Sequence, residues 1–421
     1  MFILGSGVSV DHKYPTGKKL LEDIINVLDE KISIYSLEKN SKTNVNLNKT
    51  YICVLLCYNY VREHKTNPWV SGDSINQLNE KIKEYYAHLE RFHEKLKNAY
   101  PRSIDDFIHS QTATEDQNAN DINREIGKLL IVLILTCYEE ESLAYNQSIG
   151  GLYQVTTTFF TDFWGNIYGS NFDEFIENIN KTQFITFNYD RLLEHFIYST
   201  ATNFFATTPD QNEKIKEFLS NNILHVYGML PKMEWQDEKG FQYGTINLKN
   251  LIGHIMETLD TGSGFGENQR TDDINRSLLQ LNQGKLQKTF DFILEASKSI
   301  KTYSEEIDPN LIENMKAPDQ MYFLGFSFHK LNIKRLKKIL NMNSLSQVPK
   351  IHGSFFGMKY NEFLEARLNV NAKILPKTIG PSWELDERTF PTYNKENFDK
   401  LSKYKIPDLF RSQEKFRYLS K

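Results

Sequence analysis

The chain has 421 residues, a formal net charge of -4 and 40% hydrophobic residues, enough for one large domain or about two to three of ordinary size with buried cores. That charge gives no strongly basic surface, so direct nucleic-acid binding is not expected. The only cysteines, Cys53, Cys57 and Cys137, are too few for a disulfide framework or a four-cysteine zinc site, and they point to a reducing compartment. The longest pure apolar run, Leu129 to Leu135, is far below the roughly 20 residues of a membrane helix and reads as a buried core helix. No charged leader and cleavage site precede the first strand, so a cytoplasmic protein with no membrane partner is expected.

The chain begins MFILGSGVS, an apolar run that breaks into Gly5, Ser6, Gly7 and Ser9. The amphipathic pattern of Leu20, Leu21, Ile24, Ile25 and Leu28 follows. A strand, a glycine turn and a helix in that order can cradle a phosphate, and equally can be a plain structural turn. From Asp29 to Lys181 strand-like alternation is scarce. Tyr51 to Tyr60, Ile75 to Lys97, Ile122 to Ser142 and Phe172 to Ile179 read as helices, and the polar stretches Asn40 to Thr50 and Thr112 to Asn120 as surface loops.

The pattern changes at Phe184. The run Phe184 to Phe187 leads into Asn188, Tyr189 and Asp190, then into a helix carrying Leu192, Leu193, Phe196 and Ile197. The same grammar returns at Ile223 to Val226 before Gly228, at Met321 to Leu324 before Gly325 and Ser327, and at Val348 to Ile351 before Gly353. Helical patterns follow the last two, at Asn332 to Leu340 and Asn361 to Leu368. Five short strands alternating with helices predict an α/β protein: a Rossmann-like, doubly wound parallel sheet interrupted by a large helical insertion. The expected boundaries are residues 1–30 and 182–380 for the core, 31–181 for the insertion and 381–421 for a C-terminal tail. Gly262, Gly264 and Gly266 read as a loop. In such sheets ligands bind beyond the carboxyl ends of the strands, where these polar residues would converge.

Taken singly, each motif has a plain reading. His225 in ILHVYG is placed as a general base would be, or is a core histidine with an ordinary hydrogen bond. Asn188 and Asp190 in ITFNYD serve a ligand, or form a turn and a helix cap. Gly325, Ser327 and Asn332 in FLGFSFHKLN make a cofactor contact, or a strand-to-helix turn. Other chemistries lack their residues: Gly17-Lys18 has neither the earlier glycine nor the following hydroxyl of a P-loop, His93-Glu94 is followed by Lys97 where a second zinc-binding histidine would stand, and no G-x-S-x-G elbow occurs.

The order of these motifs, Gly-Ser-Gly-Val-Ser, Thr-Phe-Asn-Tyr-Asp, His with Gly, and Gly-Phe-Ser, resembles the SIR2 (sirtuin) family and its prokaryotic SIR2-like members. The resemblance spans roughly the first 30 residues and Phe184 to about Gly353. It implies that Gly5, Ser6, Gly7 and Ser9 bind the diphosphate of NAD and that Asn188 and Asp190 shape the nicotinamide-ribose pocket. It implies further a histidine as the catalytic base, for which His225 is the candidate and Tyr227 the substitute, that Gly325 and Ser327 contact the adenosine half, and that Tyr227, Gly228 and Asn332 complete the cofactor site. Two features depart from the family pattern. Tyr227 holds the position directly before glycine where sirtuins have their histidine, and His225, two residues earlier, would share its strand face. The zinc-binding cysteine quartet of deacetylating sirtuins is absent. The implied activity is hydrolysis of the nicotinamide glycosidic bond of NAD, with NAD as substrate and no metal. The implied role is anti-phage defence, in a homo-oligomer controlled by itself or by a partner protein encoded nearby, an ATPase or a sensor. An NAD or ADP-ribose sensor without turnover is the alternative, with protein deacylation behind it.

Overall fold

The computed structural model describes residues 1–29, 31, 47–63, 72–111, 117–142, 158–238, 240–244, 287–303, 305–307, 309–340 and 349–353. Among these the strands are β1 (Phe2–Leu4), β2 (Phe184–Thr186), β3 (Ile223–His225), β4 (Gln320–Leu324) and β5 (Lys350–Gly353). The first helices are α1 (Gly17–Leu28), α2 (Leu47–Glu63), α3 (Gly72–Ala99), α4 (Ile104–Gln111) and α5 (Gln117–Glu141). Next come α6 (Phe159–Ile167), α7 (Phe172–Asn180), α8 (Leu192–Phe205) and α9 (Pro209–Asn222), followed by α10 (Gln287–Ser299), α11 (Pro309–Glu313) and α12 (Lys330–Leu340). None of the described helices is long and apolar enough to cross a membrane.

The chain divides into two compact units. One comprises Met1–Tyr14, Gln147–Gly228 and Glu305–Lys421; the other comprises Pro15–Asn146 and Met229–Ser304. The first holds the sheet, which is parallel throughout in the order β3-β2-β1-β4-β5. β1 is central because its three residues are apolar on both faces, as a doubly covered parallel strand requires: Phe2, Ile3 and Leu4 are all buried. In register, Phe2 lies between Phe184 and Tyr322, and the three rings stack at 5.4 and 5.2 Å. Phe159 and Phe163 of α6 close over this row, with Phe163 edge-on to Phe2 at 5.6 Å. Local sequence marks the helix starts of this unit. Thr158 and Thr161 form a capping box at α6, Asn171 caps α7 through the Glu174 N–H at 3.0 Å, and Thr208 with Gln211 caps α9 behind Pro209.

The second unit is helical. α1 starts at Thr16, whose hydroxyl accepts from the Lys19 N–H, and it packs its buried Leu20, Leu21, Ile24, Val27 and Leu28 against α2 to α5. Leu129 to Leu135 of α5 are buried, as the run predicts, and the three cysteines are buried and form no disulfide. Polar ties run between the helices: Asn48 donates to the Val27 carbonyl at 2.8 Å, Tyr138 to Asp23 at 2.6 Å, and Lys49 to Glu90 at 2.9 Å.

The units cut the chain elsewhere than at residues 30 and 181. The apolar face of α1 is spent on the helical unit, α6 and α7 belong with the sheet, and 229–304, including α10 against α2 and α5, joins the helical unit. Two stretches read as loops contain helix: 47–50 begins α2 and 117–120 begins α5. Gly353, expected beyond the end of the last strand, is the last residue of β5. The glycine cluster at 262–266, the pattern at 361–368 and the tail from 380 lie outside the described residues.

Candidate active site

The strand order turns at β1, whose neighbours are β2 on one side and β4 on the other. In open parallel sheets the connections diverge at such a point and leave a crevice beyond the carboxyl ends. The turns that follow β1, β2, β3 and β4 carry most of the residues singled out from the sequence, with His225 ending β3 itself and Asn332 in the first turn of α12.

The turn after β1 is not the start of an α-helix. Ser6–Val8 and Val10–His12 are single 3-10 turns, and α1 begins only at Gly17. Its glycines interlock with the turn after β4. Gly5 N–H donates to the Leu324 carbonyl at 3.0 Å and Gly7 N–H to the Gly325 carbonyl at 3.1 Å. A Cβ on Gly7 would stand 2.6 Å from the Gly325 Cα, and one on Gly325, which has φ +58, would stand as close to Gly7. Close backbone approach therefore accounts for all three glycines. The Val8 and Ser9 N–H groups are also spent inside the turn, on the Gly5 and Ser6 carbonyls at 3.1 and 3.2 Å. Ser6, half-buried, contributes its carbonyl to this turn and its N–H to none of these bonds.

Ser9 enters a buried network with the residues that end β2 and β3. Its Oγ accepts from Asn188 Nδ2 at 3.2 Å and donates to Asp190 Oδ2 at 3.1 Å. Asp190 Oδ1 accepts from the Leu192 N–H at 3.1 Å, so the carboxylate also caps α8, from one residue outside the N-cap position held by Arg191. Asn188 N–H bonds Thr186 Oγ1 at 3.1 Å. His225, the last residue of β3, bonds the Asn188 carbonyl through Nδ1 at 3.0 Å and Glu194 Oε1 through Nε2 at 2.5 Å. Two acceptors in this network have no partner although both are buried: Asn188 Oδ1 and Glu194 Oε2.

The electrostatics follow from burial. Loss of water pushes the Asp190 carboxyl up to about 6; the Glu194 charge adds to this, against the Leu192 N–H, His225 and the Ser9 hydroxyl. Burial alone would lower His225, but Glu194, the Asn188 carbonyl and Asp190 together outweigh it and raise its pKa. Nearby, burial takes His12 down to about 4, and burial with the charges of Arg191 and His12 takes His195 down to about 3.

A second network joins β3 to β4. Tyr227 lies in the turn after β3, where Gly228 has φ +72 and donates back to the His225 carbonyl at 3.3 Å. This turn removes the shared strand face expected for His225 and Tyr227: the histidine joins the Asn188 network, and the tyrosine hydroxyl donates to Asn332 Oδ1 at 2.6 Å. Asn332 Nδ2 donates to Ser327 Oγ at 3.2 Å, so Tyr227, Asn332 and Ser327, three residues expected in the cofactor site, form one chain of bonds. The buried Arg335 guanidinium sits 4.9 Å from the Tyr227 ring centroid and donates to the Glu305 carbonyl. Phe187, the residue before Asn188, makes edge contacts with Tyr227 and Phe326.

Glu194 and Arg335 were not singled out from the sequence. Each is a charge between buried apolar neighbours on an amphipathic helix, Glu194 beside Leu193 and Ile197, Arg335 beside Ile333 and Leu336. That misplacement is the readable signal. No group of residues suited to hold a metal ion occurs among the described residues. Comparison of the chain with known protein families, with curated proteins and with solved structures finds no match, so the chemistry of this site rests on its own side chains.

Proposed function

We propose that the chain is an NAD hydrolase of the sirtuin-like kind, with a Rossmann-like, doubly wound core and a large helical insertion. The observation that carries the reading is the unpartnered buried acceptor Asn188 Oδ1, set on the network that also holds Asp190. A buried acceptor without a donor costs about 1–3 kcal/mol, which a ligand rich in hydroxyl donors or bearing positive charge would relieve. The nicotinamide ribose supplies both: a diol in the ground state and an oxocarbenium-like charge as the glycosidic bond breaks. A phosphate supplies neither.

Nicotinamide leaves as a neutral molecule, so positive charge grows on the ribose, and preorganised acceptor dipoles and a carboxylate are the groups that stabilise it. Asn188 orients the ribose and the attacking water, Asp190 faces the developing charge, and the His225 and Glu194 pair supports the geometry. The adenosine half is assigned to Tyr227, Gly228, Gly325, Ser327 and Asn332, and the diphosphate to the turn of Gly5, Ser6, Gly7 and Ser9, where the Ser6 N–H is the donor not spent internally. By resemblance the protein acts in the cytoplasm as a homo-oligomeric effector of anti-phage defence, released by a partner protein encoded nearby.

Incubation of the purified chain with NAD, alone and with neighbouring gene products, and with an acylated peptide, tests the reading. Nicotinamide release without peptide is expected, and Asn188→Ala lowers it by about 100-fold or more; an Asn188→Ala protein with undiminished release would sink the proposal. The occupied ring of His225 and the internally spent amides of Gly5, Gly7, Val8 and Ser9 favour one second reading, an NAD or ADP-ribose binder without turnover. Binding by calorimetry with no nicotinamide formed selects it. Release that depends on peptide selects deacylation.

A further inference from the structure

A histidine that serves as general base needs one ring nitrogen with a lone pair facing the substrate. His225 offers none. Its Nδ1 faces the Asn188 carbonyl, which can only accept, so Nδ1 carries a proton. Its Nε2 faces a Glu194 carboxyl oxygen, so a proton lies between these two groups as well. The pair is enclosed: the side chains of His225 and Glu194 are 8% and 3% exposed. Ser9 is as enclosed, at 1% exposed, and differs in its hydrogen bonds. Its hydroxyl receives one hydrogen bond from Asn188 and gives its own proton to Asp190, and a hydroxyl oxygen has one further lone pair to accept a third.

We propose that Glu194 is a positioning residue that keeps His225 closed and proton-saturated, and that the proton acceptor of the site is Asp190, reached through Ser9 Oγ. This rests on the NAD hydrolase reading. In the step, the oxygen of the attacking water bonds to C1′ of the ribose while the C1′–N bond breaks, and its electron pair passes to the nicotinamide ring and neutralises it. The water proton goes to Ser9 Oγ as the Ser9 proton goes to Asp190 Oδ2. The products are ADP-ribose, nicotinamide and one proton, which Asp190 later returns to solvent. Glu194 offsets the charge of His225, so Asp190 keeps its negative charge towards the ribose. The ionisable groups whose charges act on Asp190 are His225 at the end of β3 and Glu194 on α8. The raised pKa of Asp190 suits an acceptor working near neutral pH.

The test has two arms on the full chain. In the first, histidine labelled with nitrogen-15 reports the His225 ring, assigned by the signal lost in His225→Gln. Both ring nitrogens are expected to carry protons from pH 6 to 8, and Glu194→Gln is expected to convert the ring to the neutral form at pH 7.5. A neutral wild-type ring with a free Nε2 at pH 7.5 overturns the proposal without any variant. In the second arm, Ser9→Ala and Asp190→Asn each lower kcat for nicotinamide release by about 100-fold or more with KM little changed, and the double variant loses no more than either single one, as members of one relay do. Ser9→Ala within threefold of wild type, or additive losses, overturns it. A wild-type protein that releases no nicotinamide counts against the hydrolase reading instead, and the ring measurement still decides whether His225 is closed.

Discussion

Replacing Asp190 by Asn should stabilise the fold at the pH where the site works while removing its activity. The folded carboxyl titrates near 6 and the unfolded one near 3.8, because burial penalises the charge. Between those values the folded chain holds a proton that the unfolded chain has released, so stability falls as pH rises through the window and is level above it. A gap of about two pH units at about 1.4 kcal/mol each makes the ionised Asp190 cost on the order of 3 kcal/mol at pH 7.5. Asn carries no charge and keeps an oxygen for the Leu192 N–H, but it gives up the charge-assisted bond from Ser9, so the net gain at pH 7.5 is about 1–2 kcal/mol. Urea unfolding of both proteins at pH 4, 5, 6, 7 and 8 reads the difference directly. The gain of Asp190→Asn over wild type should grow from pH 4 to pH 7 and then level off. A difference that does not change with pH, or that shrinks as pH rises, refutes the claim that Asp190 is a destabilised buried carboxylate.

Gly325→Ala should cost about 2–4 kcal/mol, since it combines a left-handed φ with a Cβ driven into the backbone of Gly7 and Val8; urea unfolding would show it, and a loss below 0.5 kcal/mol, roughly the scatter of neutral substitutions, would contradict the interlock. His195 is held neutral, with a folded pKa near 3 against 6.5 unfolded, so stability is lost as pH falls from 6.5 towards 3, by about 1.4 kcal/mol per pH unit. His195→Gln should flatten that slope in thermal melts between pH 6.5 and 4.5, and an unchanged slope would show that the histidine is not the cause. Phe2→Ala removes the ring at the middle of the stacked row under α6 and should cost about 3–5 kcal/mol; a smaller loss in chemical unfolding would mean the row collapses around the gap.

Local chemistry decides what can be read from residues in a row. Each strand is a short apolar run that ends in small or polar residues, and the helix starts at Thr16, Thr158, Asn171 and Thr208 are written in residues that cap their own backbone. Such features depend on neighbours in the chain, so sequence alone determined the α/β class, the positions of β1 to β4, the buried helix at Leu129 to Leu135 and the polar residues at the strand ends. Contacts between distant residues belong to the tertiary structure. Glu194 and His225 are 31 residues apart, and Ser9 and Asp190 are 181 apart; no local period brings them together. Only the parallel register of β1, β2 and β3 sets the turns after those strands side by side. The same holds for the glycines. In sequence Gly5, Gly7 and Gly325 read as ligand-contacting turns or as plain structural ones, and in the fold they are the points where two backbones come too close for any Cβ. The division into units was likewise decided by which partner each apolar face met: α1 looks like the helix of a strand-turn-helix motif, yet its buried stripe is spent on α2 to α5.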